Sequence, residues 1–342
     1  MLLAFLNKRV LLKSVIYFYH TQILVRSCKW LTLPVINYGL KITDMNALKY
    51  LLLLLITLLL ICCNTSKETK SLESDIIIDD MGYKFTFGKT PQKIVVLAPN
   101  LTEIVYELGL QNKLIGNTTY CNYPEEAKNI EKIGDMLSID HEKLLTLQPD
   151  LIFITVEGNT KETFDKLKSL GLSLFISNPR DYNGIKKTFR DFGKIFRVSE
   201  LVENKISGWD KTVDSIKIVS RKHPKYVTMF LVSFQPVMAA GKNTYINQYL
   251  TFCNLENITG DIETNYPFLS REEVLKRNPE IILHTQHSYD TRNNVLDLYK
   301  EWKDLKAVNN NKVFYLNPDI YFRPGPRFVV ALKDLSSLIT SQ

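Results

Sequence analysis

The sequence predicts an α/β protein with two Rossmann-like lobes, each built on a parallel sheet, joined by one long backbone helix. The first observation is a repeat, because residues 141–155 (HEKLLTLQPDLIFIT) recur without gaps as residues 271–285 (REEVLKRNPEIILHT) at a constant offset of 130. The second is residues 182–223, where apolar residues recur at steps of three and four without a strand pattern. That spacing is typical of a long amphipathic helix. Such a stiff connector favours small lobe motions over wide closure.

Each copy of the repeat has the pattern of a short helix, an X-Pro break, an acidic residue and an apolar strand. Pro149 and Pro279 are expected to end the two helices, because proline lacks an N–H and disfavours the α region in the residue before it. Asp150 in the first copy corresponds to Glu280 in the second. The match over both helix and strand predicts two similar lobes.

The first lobe is expected over residues 76–182. Its predicted elements are an opening strand at 83–87, a buried strand at 93–98, a helix from Pro99, a strand at 113–116, the first repeat copy, a helix at 161–170 and a strand at 173–176. Strands that alternate with helices form a parallel sheet, and such sheets bind ligands beyond the carboxyl ends of their strands. This rule points to residues 99–100, 118–123 and 155–159.

The connecting helix is expected over residues 183–223, with an interruption near residues 197–200, and the second lobe over residues 224–342. The predicted elements of the second lobe are strands at 225–232 and 237–241, a helix at 244–253, the second repeat copy, a helix at 293–302, a strand at 312–316 and a closing helix at 328–338. Ser270 and Glu273 form a capping box at the start of the second repeat helix.

The formal net charge of +7 does not indicate nucleic-acid binding. Residues 1–63 contain seven Lys or Arg and one acid, which leaves 36 basic and 35 acidic residues in the rest of the chain. The predicted lobes are therefore nearly neutral and lack the basic surface that nucleic acid requires.

The N-terminal region resembles a bacterial lipoprotein leader. Met45 is followed by Lys49 and an apolar run from Leu51 to Ile61, which has the length of a signal peptide rather than of a membrane span. We expect a signal peptide over residues 45–63 that ends at a lipidated Cys63, with Cys62 and a plain membrane anchor as the alternatives. Residues 64–75 form a polar tether. Residues 1–44 fit neither role and are interpreted as an over-extended start.

Only two cysteines follow this leader, Cys121 in the first lobe and Cys253 in the second. A bond between them would lock the lobes together. We expect two free, buried thiols instead.

Several segments together resemble a known family of proteins. They are the stretch beginning APNLTEIVYELGL, both repeat copies, GKNTYINQYLTFCNLENI and the terminal YFRPGPR. Their order resembles the substrate-binding proteins of ABC importers, in the helical-backbone group (class III) that carries cobalamin, ferric siderophores or haem. Cobalamin-binding members are the most similar. The resemblance covers about residues 90–342 and implies a ligand held between the lobes and delivered to a membrane permease.

The resemblance also implies roles for particular residues. Glu142 and Glu272 would dock on arginines of the permease, although each could instead stabilise the first turn of its helix. Met136 and Thr155 stand where the family has aromatic residues. The residues expected in the ligand cleft are Asn100, Tyr120, Tyr266, Asp319, Tyr321 and Arg323. Tyrosine rings suit a flat ligand, and arginine suits carboxylate, catecholate or amide oxygens.

His284 and His287 follow the strand of the second repeat copy, where the ligand cleft is expected. Neutral imidazole is a good ligand for haem iron, cobalt or zinc, so both are candidate metal contacts. Ile154 occupies the position of His284 in the first copy. A hydrogen-bonded surface histidine is the alternative interpretation.

The predicted function is therefore capture of a metal chelate, cobalamin or a ferric siderophore, by an ABC-importer receptor. We expect a monomer, lipid-anchored on the outer face of the cytoplasmic membrane, with no catalysis, no intrinsic cofactor and no nucleic-acid partner. The alternatives are a receptor for haem or a free transition metal, and a surface-anchored metal-dependent hydrolase using His284, His287 and Asp319.

Overall fold

The computed structural model describes residues 75–285 and 298–341. The predicted over-extended start, the signal peptide with Cys62 and Cys63, most of the tether, and His287 lie outside the described residues. Within the described ranges, no helix is both long enough and apolar enough to cross a membrane.

The first lobe is built on a four-stranded parallel sheet in the order β4-β3-β5-β6. Its strands are β3 (Ile94–Val96), β4 (Leu114–Asn117), β5 (Leu151–Thr155) and β6 (Leu174–Ser177). Its helices are α1 (Pro99–Glu107), α2 (His141–Leu147) and α3 (Lys161–Ser169), with 3-10 turns at Gln111–Lys113 and Glu125–Asn129. An antiparallel hairpin of β1 (Asp75–Ile78) and β2 (Lys84–Phe87) precedes them.

The second lobe contains a sheet in the order β11-β10-β7-β8, with β9 also paired to β7. Its strands are β7 (Val227–Ser233), β8 (Met238–Ala239), β9 (Glu256–Asn257), β10 (Ile281–His284) and β11 (Val313–Tyr315). All pairs are parallel except β7 with β8. Its helices are α6 (Tyr245–Phe252), α7 (Arg271–Arg277), α8 (Lys306–Asn309), α9 (Pro318–Tyr321) and α10 (Phe328–Thr340).

Two elements of the second lobe differ from their predictions. The strand expected at residues 237–241 is reduced to β8, because the chain turns after residue 233 and only two residues pair with β7. The described end of the helix expected at residues 293–302 is a 3-10 turn, Lys300–Asp304. Residues 293–297 of that prediction lie outside the described residues.

The predicted connecting helix consists of two helices, α4 (Tyr182–Ile195) and α5 (Ser199–Ser220). The interruption lies close to the predicted one, and Arg197 there has a left-handed backbone with φ 58°, which no helix can continue through. The Lys186–Asp210 and Arg190–Glu203 ion pairs join the helices as an antiparallel pair.

Helix α5 contributes to the hydrophobic cores of both lobes. Val202 and Ile206 belong to the core of the first lobe, while Val213 and Ile216 belong to that of the second. One rigid helix therefore contributes to both cores, which fixes the lobes relative to each other.

The two repeat copies fold in the same way, which confirms the two-lobed α/β fold. The side chains of Asp140 and Ser270 cap α2 and α7 by accepting hydrogen bonds from backbone N–H groups. Both helices end at a left-handed residue, Gln148 with φ 50° and Asn278 with φ 47°. The strands that follow, β5 and β10, are each flanked by two parallel neighbours.

Candidate functional site

A cavity of about 350 Å³ lies between the lobes, at the carboxyl ends of β3 and β5. The first lobe contributes Pro99, Asn100, Tyr120, Met136, Thr155, Glu157 and Gly158 to its wall, and the second contributes Pro318, Asp319, Phe322, Arg323 and Pro324. This is where parallel sheets place their ligands. The volume is within the usual range for a small-molecule site, about 300–1,000 Å³.

Asn100 and Tyr120, two predicted cleft residues, line this cavity in different ways. Asn100 is buried, and its amide donates a hydrogen bond of 3.2 Å to the carbonyl of Pro324 in the other lobe. A Cβ atom added at Gly325 would lie only 3.1 Å from the carbonyl oxygen of Asn100, so the lobes are in close contact here. Tyr120 leaves 56% of its surface exposed and is free to contact a ligand.

Asp319 and Arg323 also line the cavity and are paired with each other. Arg323 Nη2 lies 2.6 Å from Asp319 Oδ1, and the other carboxylate oxygen accepts a 3.0 Å hydrogen bond from Asn122. Arg323 is buried and also donates to the carbonyl of Tyr120. Its guanidinium is therefore occupied by protein acceptors.

Glu103, a carboxylate of α1 that is only 3% exposed, was not among the predicted site residues. Glu103 Oε1 accepts from Arg327 Nη2 at 2.6 Å and from Arg323 Nη1 at 3.3 Å, and Oε2 accepts from Arg327 Nε at 2.9 Å. Burial raises the pKa of the Glu103 carboxyl, and the two arginines oppose that rise. An ion-paired cluster thus joins α1 of the first lobe to the chain around α9 of the second.

A second contact between the lobes involves Glu157 and Tyr266. The Glu157 carboxylate follows β5, forms an ion pair with Arg180 and interacts with the Tyr266 hydroxyl. Burial raises the pKa of Glu157. Tyr266, a predicted cleft residue, is half-buried and packs on the second-lobe core. The tyrosine therefore lies at the junction of the lobes, with its hydroxyl near Glu157.

The prediction that Tyr321 lies in the ligand cleft is wrong, because its side chain does not face the cleft. It is fully buried in the core of the second lobe, and its hydroxyl donates to the carbonyl of Ala331 at 3.0 Å and to Asp334 at 2.8 Å. The short helix α9 points Asp319 and Tyr321 in different directions. Tyr321 supports the cleft wall from behind.

His284 ends β10 but is buried between two aromatic rings rather than open to the cleft. Its ring centroid lies 5.4 Å from that of Phe234 and 5.8 Å from that of Tyr315. Burial lowers the pKa of His284, which favours the neutral imidazole. His287 lies outside the described residues. Among residues 75–285 and 298–341, no group of three or more His, Cys, Asp or Glu could hold a metal ion.

Glu142 and Glu272 are both exposed and lie in the first turns of α2 and α7. In a parallel α/β unit, a helix that leads into a strand runs antiparallel to it, so the first turns of α2 and α7 are expected at the carboxyl edges of the sheets. This is the edge at which the cleft opens. Backbone N–H bonding lowers the pKa of Glu272, as expected at a helix start.

Cys121 and Cys253 are free and buried, as predicted. Cys121 lies within 3.3 Å of the hydroxyls of Thr102 and Thr118, inside the first lobe. Burial raises the pKa of the Cys253 thiol to about 12, which makes it unreactive.

Comparisons with known proteins agree with this architecture. A sequence profile described as periplasmic binding protein matches residues 94–320. A vitamin B12-binding protein of Vibrio campbellii is 29% identical over 252 residues, which cover 73% of this chain and 90% of that protein. The ABC transporter substrate-binding lipoprotein YvrC of Bacillus subtilis is 29% identical over 77% of this chain and 85% of its own length.

Solved structures show the same fold. The crystal structure of the periplasmic vitamin B12 binding protein BtuF of Vibrio cholerae superposes with a TM-score of 0.64 at 26% identity. The match covers 74% of this chain and 98% of that structure.

Proposed function

Because the chain belongs to the periplasmic binding protein family, we propose that it is the solute-binding component of an ABC importer. In this role it captures a metal chelate in the cleft between its lobes and delivers it to a membrane permease. The chain binds its ligand without transforming it.

The ligand assignment rests on the ion pairs of the arginines at the cleft. Among residues 75–285 and 298–341, the arginines found at the cleft are Arg323, Arg327 and Arg180, and each is paired with a carboxylate of the protein. An anionic ligand would have to break one of these pairs and leave a partly buried carboxylate unpaired, which is costly. The cleft therefore favours a ligand with little net charge at its surface.

Cobalamin is the chelate that fits this lining best. Its corrin ring is flat and apolar, and its edge carries neutral amides rather than carboxylates. Tyr120, Met136 and Phe322 offer apolar surface, while Asn100 and the carboxylates of Glu157 and Asp319 offer hydrogen-bond partners for amides. The vitamin B12-binding relative supports the same ligand. A cobalamin is larger than the cavity, so part of it lies in the cleft opening beside Tyr120.

Haem is the second candidate and a weaker one. Its two propionates require cations, and Arg323 and Arg327 in the described part of the cleft are already paired. A ferric hydroxamate siderophore, which carries no excess negative charge, remains compatible with the cleft, whereas a ferric catecholate does not.

A lipid anchor at Cys63, or at Cys62, would keep the receptor beside its permease on the outer face of the membrane. The leader pattern and the lipoprotein name of the Bacillus relative support this placement. Mass spectrometry of the mature protein tests it, since a diacylglyceryl group on an N-terminal cysteine is expected. An unmodified N-terminus would contradict the anchor.

The importer role is tested by transport. Cells that produce this receptor and its permease should accumulate radiolabelled cyanocobalamin, and deletion of the receptor should abolish the accumulation. Uptake that is independent of the receptor would contradict the proposed function.

A further inference from the structure

Leu137 and Phe268 are the two most exposed large apolar side chains in the described part of the chain, at 72% and 69%. Leu137 lies in the loop before α2 and Phe268 in the loop before α7, so each precedes the exposed Glu142 or Glu272 by four or five residues. At the repeat offset, Phe268 corresponds to Ser138, the neighbour of Leu137. A single exposed apolar residue is ordinary, but exposed apolar residues at adjacent repeat positions, each shortly before an exposed glutamate, indicate a shared role.

The exposure of Leu137 is imposed by a fixed turn. Gly134 and Ile139 close the turn through an antiparallel bridge. The Asp135 carboxylate accepts hydrogen bonds from the backbone N–H of Leu137 at 2.7 Å and of Ser138 at 2.6 Å. Leu137 is thus held at the tip of a well-bonded turn, and a protein partner would not have to order it on binding.

The exposure of Phe268 is imposed by backbone pairing. The carbonyl of Pro267 accepts from Ala239 N–H at 3.1 Å, and Leu269 N–H donates to the carbonyl of Val237 at 3.0 Å. Pro267 and Leu269 are both buried. The alternation of an extended segment therefore turns Phe268 outward, so its direction is fixed before any partner binds.

We propose that Leu137 with Glu142, and Phe268 with Glu272, form two similar docking pairs for the permease, one on each lobe, each an apolar anchor near a carboxylate. The inference rests on the proposed function and deepens it. The partner that fits is a membrane protein presenting the same surface twice, with a cation beside an apolar pocket in each copy. Its two-fold repetition would match the repeat of the two lobes.

The carboxylates argue against other occupants of the two docking pairs. An anionic lipid surface would repel Glu142 and Glu272, and so would the same acidic surface of a second copy of this chain. A cationic protein surface is attracted by them, while the buried apolar anchors supply affinity.

The test measures binding of purified receptor variants to the ABC permease complex held in lipid nanodiscs. Leu137→Ser and Phe268→Ser should each weaken binding about tenfold, and the double variant about a hundredfold, since truncating a central apolar anchor costs an interface about this much. Ile218→Ser is the matched control, because Ile218 is 62% exposed but lies on α5. The Ile218→Ser variant should bind the permease complex with the same affinity as the wild type.

Separate results would overturn the docking pairs and the proposed function. If the Leu137→Ser, Phe268→Ser double variant binds like the wild type while reversal of Glu142 and Glu272 abolishes binding, the apolar anchors are wrong and the importer role stands. If the wild-type receptor binds no permease complex, both proposals fail.

Three further outcomes would overturn the docking pairs alone. Loss of cyanocobalamin affinity in the double variant would place Leu137 and Phe268 in the ligand cleft. Binding of the wild type to empty nanodiscs that the double variant loses would make the pairs a lipid contact. A receptor dimer in sedimentation analysis that the double variant loses would make them a contact between copies.

Discussion

Asp150 and Glu280 hold the same position in the two sheets and make the same bond. Asp150 Oδ2 accepts from the backbone N–H of Lys93 at 2.9 Å, and Glu280 Oε2 accepts from that of Val227 at 3.0 Å. Their own N–H groups donate to the carbonyls of the same two partners, at 2.8 Å and 2.7 Å. Each carboxylate therefore ties the start of a repeat strand to the start of its neighbour, β3 or β7.

The first prediction concerns the stability that Asp150 contributes. Asp150→Asn should lower the free energy of unfolding at pH 7 by about 1 kcal/mol, because a charged acceptor shared by two backbone N–H groups is replaced by a neutral one at an exposed site. Urea denaturation measures the change. Asp304→Asn, at another exposed acid, is the control and should change stability by less than about 0.5 kcal/mol.

The stability difference between the wild type and Asp150→Asn should decrease as the pH falls. The backbone bonds from Lys93 and Gln92 hold the pKa of Asp150 below its usual 3.8. The Asp150 carboxylate therefore contributes its full stability above the pKa that it has in the unfolded chain. This contribution is lost as the pH falls through its lower pKa in the folded protein. The difference in the free energy of unfolding between the wild type and Asp150→Asn should disappear below about pH 4. A gap as large at pH 3 as at pH 7 would refute this account.

The second prediction concerns the ion-paired cluster at Glu103. Glu103→Gln should destabilise the protein by about 3 kcal/mol, since it leaves Arg327 largely buried without a counter-charge and leaves Arg323 with Asp319 alone. It should also weaken ligand binding, because these residues join the lobes at the cleft. Urea denaturation and a cyanocobalamin titration measure the two effects.

Glu107→Gln is the matched control for this prediction. Glu107 lies on the same helix and pairs with Lys205 at a partly exposed site, so its loss should cost less than about 1 kcal/mol. Equal losses of stability in Glu103→Gln and Glu107→Gln would contradict the claim that the buried Glu103 cluster stabilises the protein more than an exposed ion pair does.

The third prediction separates two tyrosines. Tyr120→Ala should weaken ligand binding about tenfold without measurable loss of stability, because the ring is exposed at the cleft. Tyr321→Phe should lower stability by about 1–2 kcal/mol, through loss of the bonds to Ala331 and Asp334, and leave ligand affinity unchanged. Thermal melts and ligand titrations measure both variants. A loss of stability in Tyr120→Ala together with a loss of ligand affinity in Tyr321→Phe would contradict these assignments.

The fourth prediction concerns delivery. The Glu142→Arg, Glu272→Arg double variant should bind the ligand with wild-type affinity but support only background uptake, because cationic docking surfaces on the permease would be repelled. Glu200→Arg is the control, since Glu200 is also an exposed acid in the first turn of a helix, α5. Lost ligand binding in the double variant would show that the two glutamates serve the cleft instead.

The fold could be predicted well because its signals are local. Apolar runs, the X-Pro breaks at Pro149 and Pro279 and the capping residue Ser270 each act within a few residues. The repeat then linked the two lobes. The antiparallel pairing of α4 and α5 was not predictable, because it depends on contacts such as Lys186–Asp210 that form only after the turn at Arg197.

The site was predictable only in part, because it depends on contacts between distant segments. Asn100, Tyr120, Asp319 and Arg323 line the cavity, as strand ends and the family resemblance indicated. Glu103 was missed, since its partners lie more than 200 residues away. One signal was available: an acid inside an apolar helix, in a chain with two arginines in its terminal YFRPGPR segment.

The central claim is that the cleft binds a chelate with little net charge, of which cobalamin is the leading candidate. Its most direct test is an absorption titration of the purified protein with cyanocobalamin, haemin, a ferric hydroxamate and a ferric catecholate. We expect saturable one-to-one binding of cyanocobalamin at micromolar concentration or below, and no saturable binding of haemin or the catecholate. Tight binding of haemin without binding of cyanocobalamin would contradict the claim.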